Sequence, residues 1–169
     1  ELINEMNQYS GNHKAFCIDL QNREGPSELI NMLKDSRTPP NIIIHNLGGS
    51  LQITNKIFSR KDLENVWNFN LGIAHEINNG LIPYMIDKNW GRIIHVSSLV
   101  AKTGKGYVPY VSAKCALEGY VKAMSKFLSK RNVIMLAIAP GLVELPDRFF
   151  TKMKNENPEK LNNFYDEHL

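Results

Sequence analysis

Cysteine is scarce in this chain, with Cys17 and Cys115 the two thiols among 169 residues. At that separation they form neither a metal-ligand pattern nor a disulfide framework. No metal site is expected, and free thiols suit a reducing, cytoplasmic setting. Charge of one sign is missing as well. The 20 basic and 17 acidic side chains interleave to a net +3, too mild and too scattered to favour nucleic acid or an anionic membrane. Long hydrophobic runs are absent too. The longest, at 42–44 and 133–139, fall far short of the roughly 18 residues that span a bilayer, so no membrane-spanning segment is expected. The first 16 residues are polar, with no secretory h-region. The chain opens on Glu1 rather than Met, which suggests a piece of something longer.

What is present is a globular composition. Hydrophobic residues make up 43% and charged residues 22%, which suits one domain of ordinary size and excludes a disordered chain. No internal repeat or low-complexity tract divides it, so the span 1–169 reads as a single domain. Residues 14–19 form a short apolar run ending in Asp19 and predict a strand. Gly25-Pro26-Ser27 then opens a helix with Leu29, Ile30 and Leu33 on one face. After Pro39-Pro40, residues 41–46 hold the continuous β-branched run Ile42 to Ile44, as in a parallel strand buried on both faces.

Residues 59–89 have helical spacing through Leu63, Val66, Trp67, Leu71, Ala74, Ile77 and Leu81, with Pro83 expected to kink or weaken the last turn. Residues 91–98 and 133–139 predict two more strands, separated by a helix over 110–131. The tail at 142–169 mixes charges with Phe149, Phe150, Phe164 and Tyr165 and reads as helices without a strand. Strands alternating with helices give an α/β fold with a doubly wound parallel sheet. Ligands in such sheets sit beyond the carboxyl ends of the strands. That rule selects Asp19, Asn46 to Gly49, Ser97-Ser98 and Pro140 to Val143.

Tyr110 and Lys114 lie four residues apart in a predicted helix, on one face and a turn apart. A phenol with a pKa near 10 is a poor acid or base at neutrality. A neighbouring ammonium favours its ionised form and makes proton transfer accessible. An ordinary amphipathic helix gives the same spacing, so the pair gains meaning only from its place after Ser97-Ser98.

Together these residues resemble the short-chain dehydrogenase/reductases, in particular their short single-domain branch that includes the 3-oxoacyl-carrier-protein reductases. Asn46-Leu47-Gly48 is similar to that family's Asn-Ala-Gly turn, Asn70 to its active-site asparagine, and the run Gly91 to Ser98 to its serine strand. Tyr110 with Lys114 and Pro140-Gly141 complete a set that runs from His13 to Val143.

The resemblance implies a Rossmann-type domain with helices on both sheet faces, and hydride transfer between NAD or NADP and a small-molecule carbonyl or secondary alcohol. Tyr110 would be the general acid/base, Lys114 would lower its pKa and hold the ribose, and Ser98 would bind the substrate oxygen. Asn70 would position a water that links Lys114 to solvent. Cofactor contacts would come from Asp19, Asn46, Gly48, Tyr110, Lys114, Pro140, Gly141 and Val143. The helical segment at 142–169 would lie on the substrate side. Assembly as a homodimer or homotetramer would use the two long helices.

Departures from the pattern are as informative. Ser98 precedes Tyr110 by 12 residues, one fewer than in many relatives, and Ser97 restores the longer spacing. Leu47 replaces a small residue, and Leu145 stands where a threonine is common. The Gly-rich phosphate loop, the second strand that selects NAD or NADP, and the last strand of the resembled fold have no counterpart here. The domain is therefore read as incomplete at both ends, with weak cofactor binding expected of this stretch alone. In that fold the 14–19 strand would lie at one edge, apart from 41–46. The competing reading is a non-catalytic nucleotide-binding or assembly protein that keeps the fold. A phosphoacceptor receiver is excluded by the lack of clustered acids at the strand ends. Histidines 13, 45, 75, 95 and 168 show no ligand spacing. His45 and His95 fall on adjacent predicted strands, where a hydrogen-bonded sheet histidine explains them.

Overall fold

The computed structural model describes residues 5–6, 8–9, 13–35, 39–141, 143, 149–159 and 161–163. Three strands form a parallel sheet in the order β1 (Ile42–His45), β2 (Gly91–Val96), β3 (Val133–Ile138). The register pairs Ile43 with Ile93 and His45 with His95, then Ile93 with Met135 and His95 with Ala137. Parallel neighbours need crossovers, and helices supply them. The first crossover is α2 (Arg60–Trp67), a π-helical turn at Asn68–Gly72, and α3 (Ile73–Asp87). The second holds a short helix α4 (Val100–Thr103) and the long α5 (Val108–Leu128), followed by a 3-10 turn at Ser129–Arg131. Ahead of β1 lies α1 (Gly25–Lys34), and beyond β3 lies α6 (Phe149–Glu156).

Local chemistry sets the helix starts. Ser59 caps α2 by accepting the Asp62 N–H at 3.1 Å while the Asp62 carboxylate accepts the Ser59 N–H at 3.0 Å, a reciprocal box that satisfies two orphan donors. Pro109 lies in the first turn of α5, where its missing N–H costs nothing. Tyr110 is thereby placed in that same opening turn. Helix α3 continues through Pro83 to Asp87. The irregular stretch of this crossover lies earlier, at Asn68–Gly72.

The core sits between one sheet face and α3 and α5. Ile82, Met85, Ile93, Leu117, Val121, Leu128, Val133 and Met135 form its main cluster. A second cluster joins Ile73, Ile77 and Leu81 of α3 to Leu29 and Leu33 of α1. The two helices meet closely at Gly80, where an added Cβ would lie 2.7 Å from Ile30.

Two sequence expectations change here. Residues 14–19 carry no ladder, because a strand exists only by pairing and this segment has no strand beside it among the described residues. Strand β1 is not buried on both faces either: Ile42 and Ile44 are 53% and 63% exposed, and Ile134, Leu136 and Ile138 of β3 are open on the same side. Helices α3 and α5 pack on the other face, where Ile93 and Val133 are wholly buried. The tail forms α6, as its composition predicts. Residues 144–148 and 164–169 lie outside the described residues, and with them Leu145, Phe164 and Tyr165.

Candidate active site at the strand ends

The carboxyl ends of β1, β2 and β3 converge on one place, and α5 faces it. Residues 110, 114 and 118 follow at intervals of one turn along α5, and each grips a different residue of the β2 exit. The Lys114 ammonium donates to the Val96 carbonyl at 2.8 Å. The Ser97 hydroxyl donates to the Glu118 carboxylate at 3.0 Å. Ser98 accepts the Val100 N–H at 3.4 Å and lies on the Tyr110 side of the turn, where its hydroxyl lowers the phenol's pKa. The two serines are thus told apart: Ser97 is buried against Glu118, and Ser98 faces Tyr110.

Asn70 closes the floor of the site. Its carbonyl accepts the Gly49 N–H at 3.0 Å, and its amide donates at 2.8 Å both to the Gly49 carbonyl and to the Val66 carbonyl one turn back. Asn70 lies inside the π-helical turn. The extra residue of such a turn frees local hydrogen-bonding groups and re-aims a side chain, and π-turns recur at functional sites. Gly48 sits between Asn70 and Lys114: a Cβ there would be 2.7 Å from Asn70 Oδ1 and 3.0 Å from Lys114 Nζ. Backbone alone fills the space, so the turn after β1 lies directly against both side chains.

The β3 exit joins through main-chain bonds. Ser97 N–H donates to the Ile138 carbonyl at 2.7 Å and Leu99 N–H to the Pro140 carbonyl at 2.9 Å, which sets Pro140 and Gly141 beside the serine turn. Val143 is exposed beyond them. Asp19 lies in the turn before α1, exposed, with one carboxylate oxygen accepting the Gln21 N–H at 3.0 Å. Asn46 is exposed at the end of β1.

Burial governs the electrostatics. Desolvation lowers the Lys114 pKa to about 8, because a charged ammonium loses hydration in a half-buried site. Burial pushes the Tyr110 phenol above its ordinary value, while the Ser98 hydroxyl pulls it down. The net direction is opposite to what the Tyr-Lys pairing alone predicts. The reason is geometric: the ammonium points to the Val96 carbonyl and stands 5.6 Å from the centre of the Tyr110 ring.

Three features escaped the sequence reading. The π-helical turn has no local sequence signature. Glu118 belongs to no motif, although its spacing of four from Lys114 places it on the same face. The third is a polar cluster beneath the site. The His45 and His95 rings stack at 4.5 Å. Asn78 links them, through Oδ1 to His45 Nε2 at 2.8 Å and through Nδ2 to His95 Nε2 at 3.2 Å, and also reaches the Tyr120 hydroxyl at 3.2 Å. His95 Nδ1 is buried without a partner. Among the described residues no group of three or more His, Cys, Asp or Glu is placed to hold a metal, and no helix is long and apolar enough to cross a membrane.

Comparison with known proteins meets this geometry. The family model for short chain dehydrogenases matches residues 1–157. The 3-oxoacyl-[acyl-carrier-protein] reductase of Pseudomonas aeruginosa is 28% identical over 148 residues, 86% of this chain and 57% of that one. The reductase of the same name from Thermotoga maritima is 26% identical over 94% of this chain and 63% of its own. That from Aquifex aeolicus is 38% identical over 61% of this chain and 42% of its own. The chain thus spans less than two thirds of these relatives.

Among solved structures, the 3-oxoacyl (acyl-carrier-protein) reductase of Agrobacterium tumefaciens with NADP bound superposes with a TM-score of 0.82 at 21% identity, over 96% of this chain and 62% of its own. A short-chain dehydrogenase from Streptomyces avermitilis gives a TM-score of 0.74 at 17% identity, over 86% and 54%. These likenesses establish the Rossmann-type fold, of which the three parallel strands and their crossover helices are part. With a family model that spans nearly its whole length, this chain belongs to the short-chain dehydrogenase family.

Proposed function

We propose that this chain carries the reaction centre of an NAD(P)-dependent oxidoreductase that interconverts a carbonyl compound and a secondary alcohol. The observation that carries the reading is the row of side chains on α5 that sets Lys114 on the Val96 carbonyl, 5.6 Å from the Tyr110 ring, with Ser98 on the Tyr110 side, at the carboxyl ends of a parallel sheet. A phenol and a serine hydroxyl on the same side of the turn suit a single oxygen atom of a substrate. The nicotinamide cofactor, when bound, supplies or accepts the hydride.

The chain's own residues handle the proton. In reduction, hydride adds to the carbonyl carbon while Tyr110 gives its phenolic proton to the oxygen and Ser98 holds that oxygen by a hydrogen bond. The phenol is protonated at neutral pH, as a donor must be, but burial raises its pKa, so transfer depends on the negative charge that develops on the substrate oxygen as hydride arrives. Lys114, with its pKa near 8, is mostly protonated at pH 7 and returns a proton to the phenolate. Asn70 holds the Gly48-Gly49 turn in place and would orient a water leading from Lys114 to solvent.

With no Cβ at residue 48, the turn after β1 lies directly against Asn70 and Lys114 and would border the cofactor that Lys114 holds. The exposed Asn46, Gly141 and Val143 and the half-buried Pro140 would flank the nicotinamide, and the Asp19 carboxylate would meet the adenine amino group. The names of the bacterial relatives make a 3-oxoacyl thioester the first substrate to offer.

Tyr110→Phe keeps the ring and removes the proton. In the full-length protein it should lower turnover by at least about a hundredfold, the scale of a lost general acid. Fluorescence titration with NADH and NADPH should give affinities close to those of the unaltered protein. Retained turnover in that variant would overturn the mechanism. For assembly, a groove of about 300 Å³ bounded by Trp67, Leu71, His75 and Tyr120 marks the outer face of the two long helical segments, and we propose that a second copy docks there. Sedimentation of Trp67→Glu as a smaller species than the unaltered protein is the expected result.

A further inference from the structure

Glu118 is the third member of the row on α5, after Tyr110 and Lys114, and it makes two bonds at once. Its Oε1 accepts from the Ser97 hydroxyl at 3.0 Å, and its Oε2 pairs with Lys102 Nζ at 2.5 Å. Ser97 and Lys102 are the two ends of the segment that carries Ser98 and turns into α4. One carboxylate therefore closes this segment at both ends onto the helix that carries Tyr110. The segment is also held by the Ser97 N–H to the Ile138 carbonyl at 2.7 Å, and within it the Val100 N–H reaches the Ser98 hydroxyl at 3.4 Å. Its Leu99 N–H reaches the Pro140 carbonyl at 2.9 Å, and Cys115 Sγ lies 3.4 Å from the Ala101 carbonyl. The Ser97 side is dry, with the residue 4% exposed, whereas the Lys102 side chain is 63% exposed. A hydroxyl buried this deeply loses a partner it cannot replace with water if the carboxylate goes. The exposed ion pair adds little energy of its own, but it fixes the far end of the loop.

We infer that Glu118 is a positioning residue, which bridges Ser97 and Lys102 and thereby sets the Ser98 hydroxyl at its distance from Tyr110. The inference rests on the hydride-transfer reading above and adds a residue that does not touch substrate or cofactor. Ser98 lowers the Tyr110 pKa, so a loosened serine turn has a signature beyond lost rate. The pH at which the phenol ionises moves up.

The test uses the full-length protein, with NADPH and an acetoacetyl thioester for reduction and the 3-hydroxy product with NADP for oxidation. Glu118→Ala should lower kcat by about tenfold, within the range that a displaced catalytic group costs, with KM for NADPH within twofold. The ascending limb of its pH–rate profile in oxidation should shift to higher pH. Glu118→Gln can still accept from Lys102 and donate to the freely rotating Ser97 hydroxyl, so it should recover most of the rate. Ser97→Ala should reproduce the direction, and the Ser97→Ala/Glu118→Ala pair should be no slower than the worse single variant, as for two ends of one contact. Lys102→Met, altered on the exposed side where folding is not at risk, should show a smaller loss of the same kind.

A kcat within twofold in Glu118→Ala, or a Gln variant as slow as the Ala variant, overturns the positioning role. The second outcome would assign the effect to charge. Failure of the underlying reading looks different: turnover survives Tyr110→Phe, or the unaltered protein turns over neither direction. The clamp is then judged by amide hydrogen exchange at residues 98–103. Faster exchange in Glu118→Ala with near-normal exchange in Glu118→Gln sustains it, and unchanged exchange in both overturns it.

Discussion

Gly48 shows how one missing Cβ organises the site. With hydrogen at that position, the β1 exit lies against Asn70 Oδ1 and Lys114 Nζ, at distances where a methyl group would stand 2.7 and 3.0 Å away. Gly48→Ala must push back either Asn70, which is itself tied to Gly49 and Val66, or the lysine. The lysine is the easier to move, because it is held by one hydrogen bond to Val96. Overpacking of this kind costs about 1–3 kcal/mol. The variant should fold with a lowered midpoint in urea and lose activity out of proportion to its lost stability, since the displaced group is the one beside Tyr110. Equal losses in stability and activity would show that the lysine does not yield.

At the scale of elements, the π-helical turn joins α2 to α3 inside the first crossover and ties it back to the turn after β1. Asn70 satisfies three main-chain groups from it and is 2% exposed. Asn70→Ala leaves the Gly49 N–H and two carbonyls without their partner, and each buried unpaired group costs about 1–3 kcal/mol. Exchange of the Gly49 amide should accelerate strongly, while amides in the middle of α5, such as Val121, slow or quicken only with global stability. The sequence displays the strands at 42–45, 91–96 and 133–138 because their apolar runs are bounded by glycine, proline and asparagine. It displays α5 because Leu117, Val121 and Leu128 keep a helical period that the core uses. The 14–19 segment has the composition of a strand, but pairing depends on a neighbour that composition does not encode. The π turn is invisible for a related reason: the bonds that hold it come from Gly49, 21 residues away in sequence. Tyr110, Lys114 and Ser98 are legible through family resemblance and come together in space. Glu118 carries no motif and is found only from what it touches.

For the molecule as a whole, the histidines buried between β1, β2 and α3 set the response to acid. His95 is 1% exposed, and burial, with the His45 ring and the Lys114 ammonium adding repulsion, lowers its pKa to about 3. His45 is lowered in the same direction by burial, against a smaller opposing effect of its bond to Asn78. Tyr120, whose ring meets His95 edge-on, also faces the pair and stays neutral, held above its ordinary pKa by burial. An imidazole whose folded pKa lies below its unfolded value is protonated first in the unfolded chain. Stability is therefore fully present above about pH 6.5 and falls as pH drops from there towards 3. At pH 5 the linkage for His95 alone amounts to about 2 kcal/mol, and His45 adds to it. The thermal midpoint should fall by several degrees between pH 7.5 and 5. His95→Asn, which can keep a hydrogen bond to Asn78 but has no proton to gain, should flatten that fall. If the midpoint of the unaltered protein does not move over this range, the two histidines are not held neutral in the fold. If it moves equally in His95→Asn, the acid response belongs to other groups.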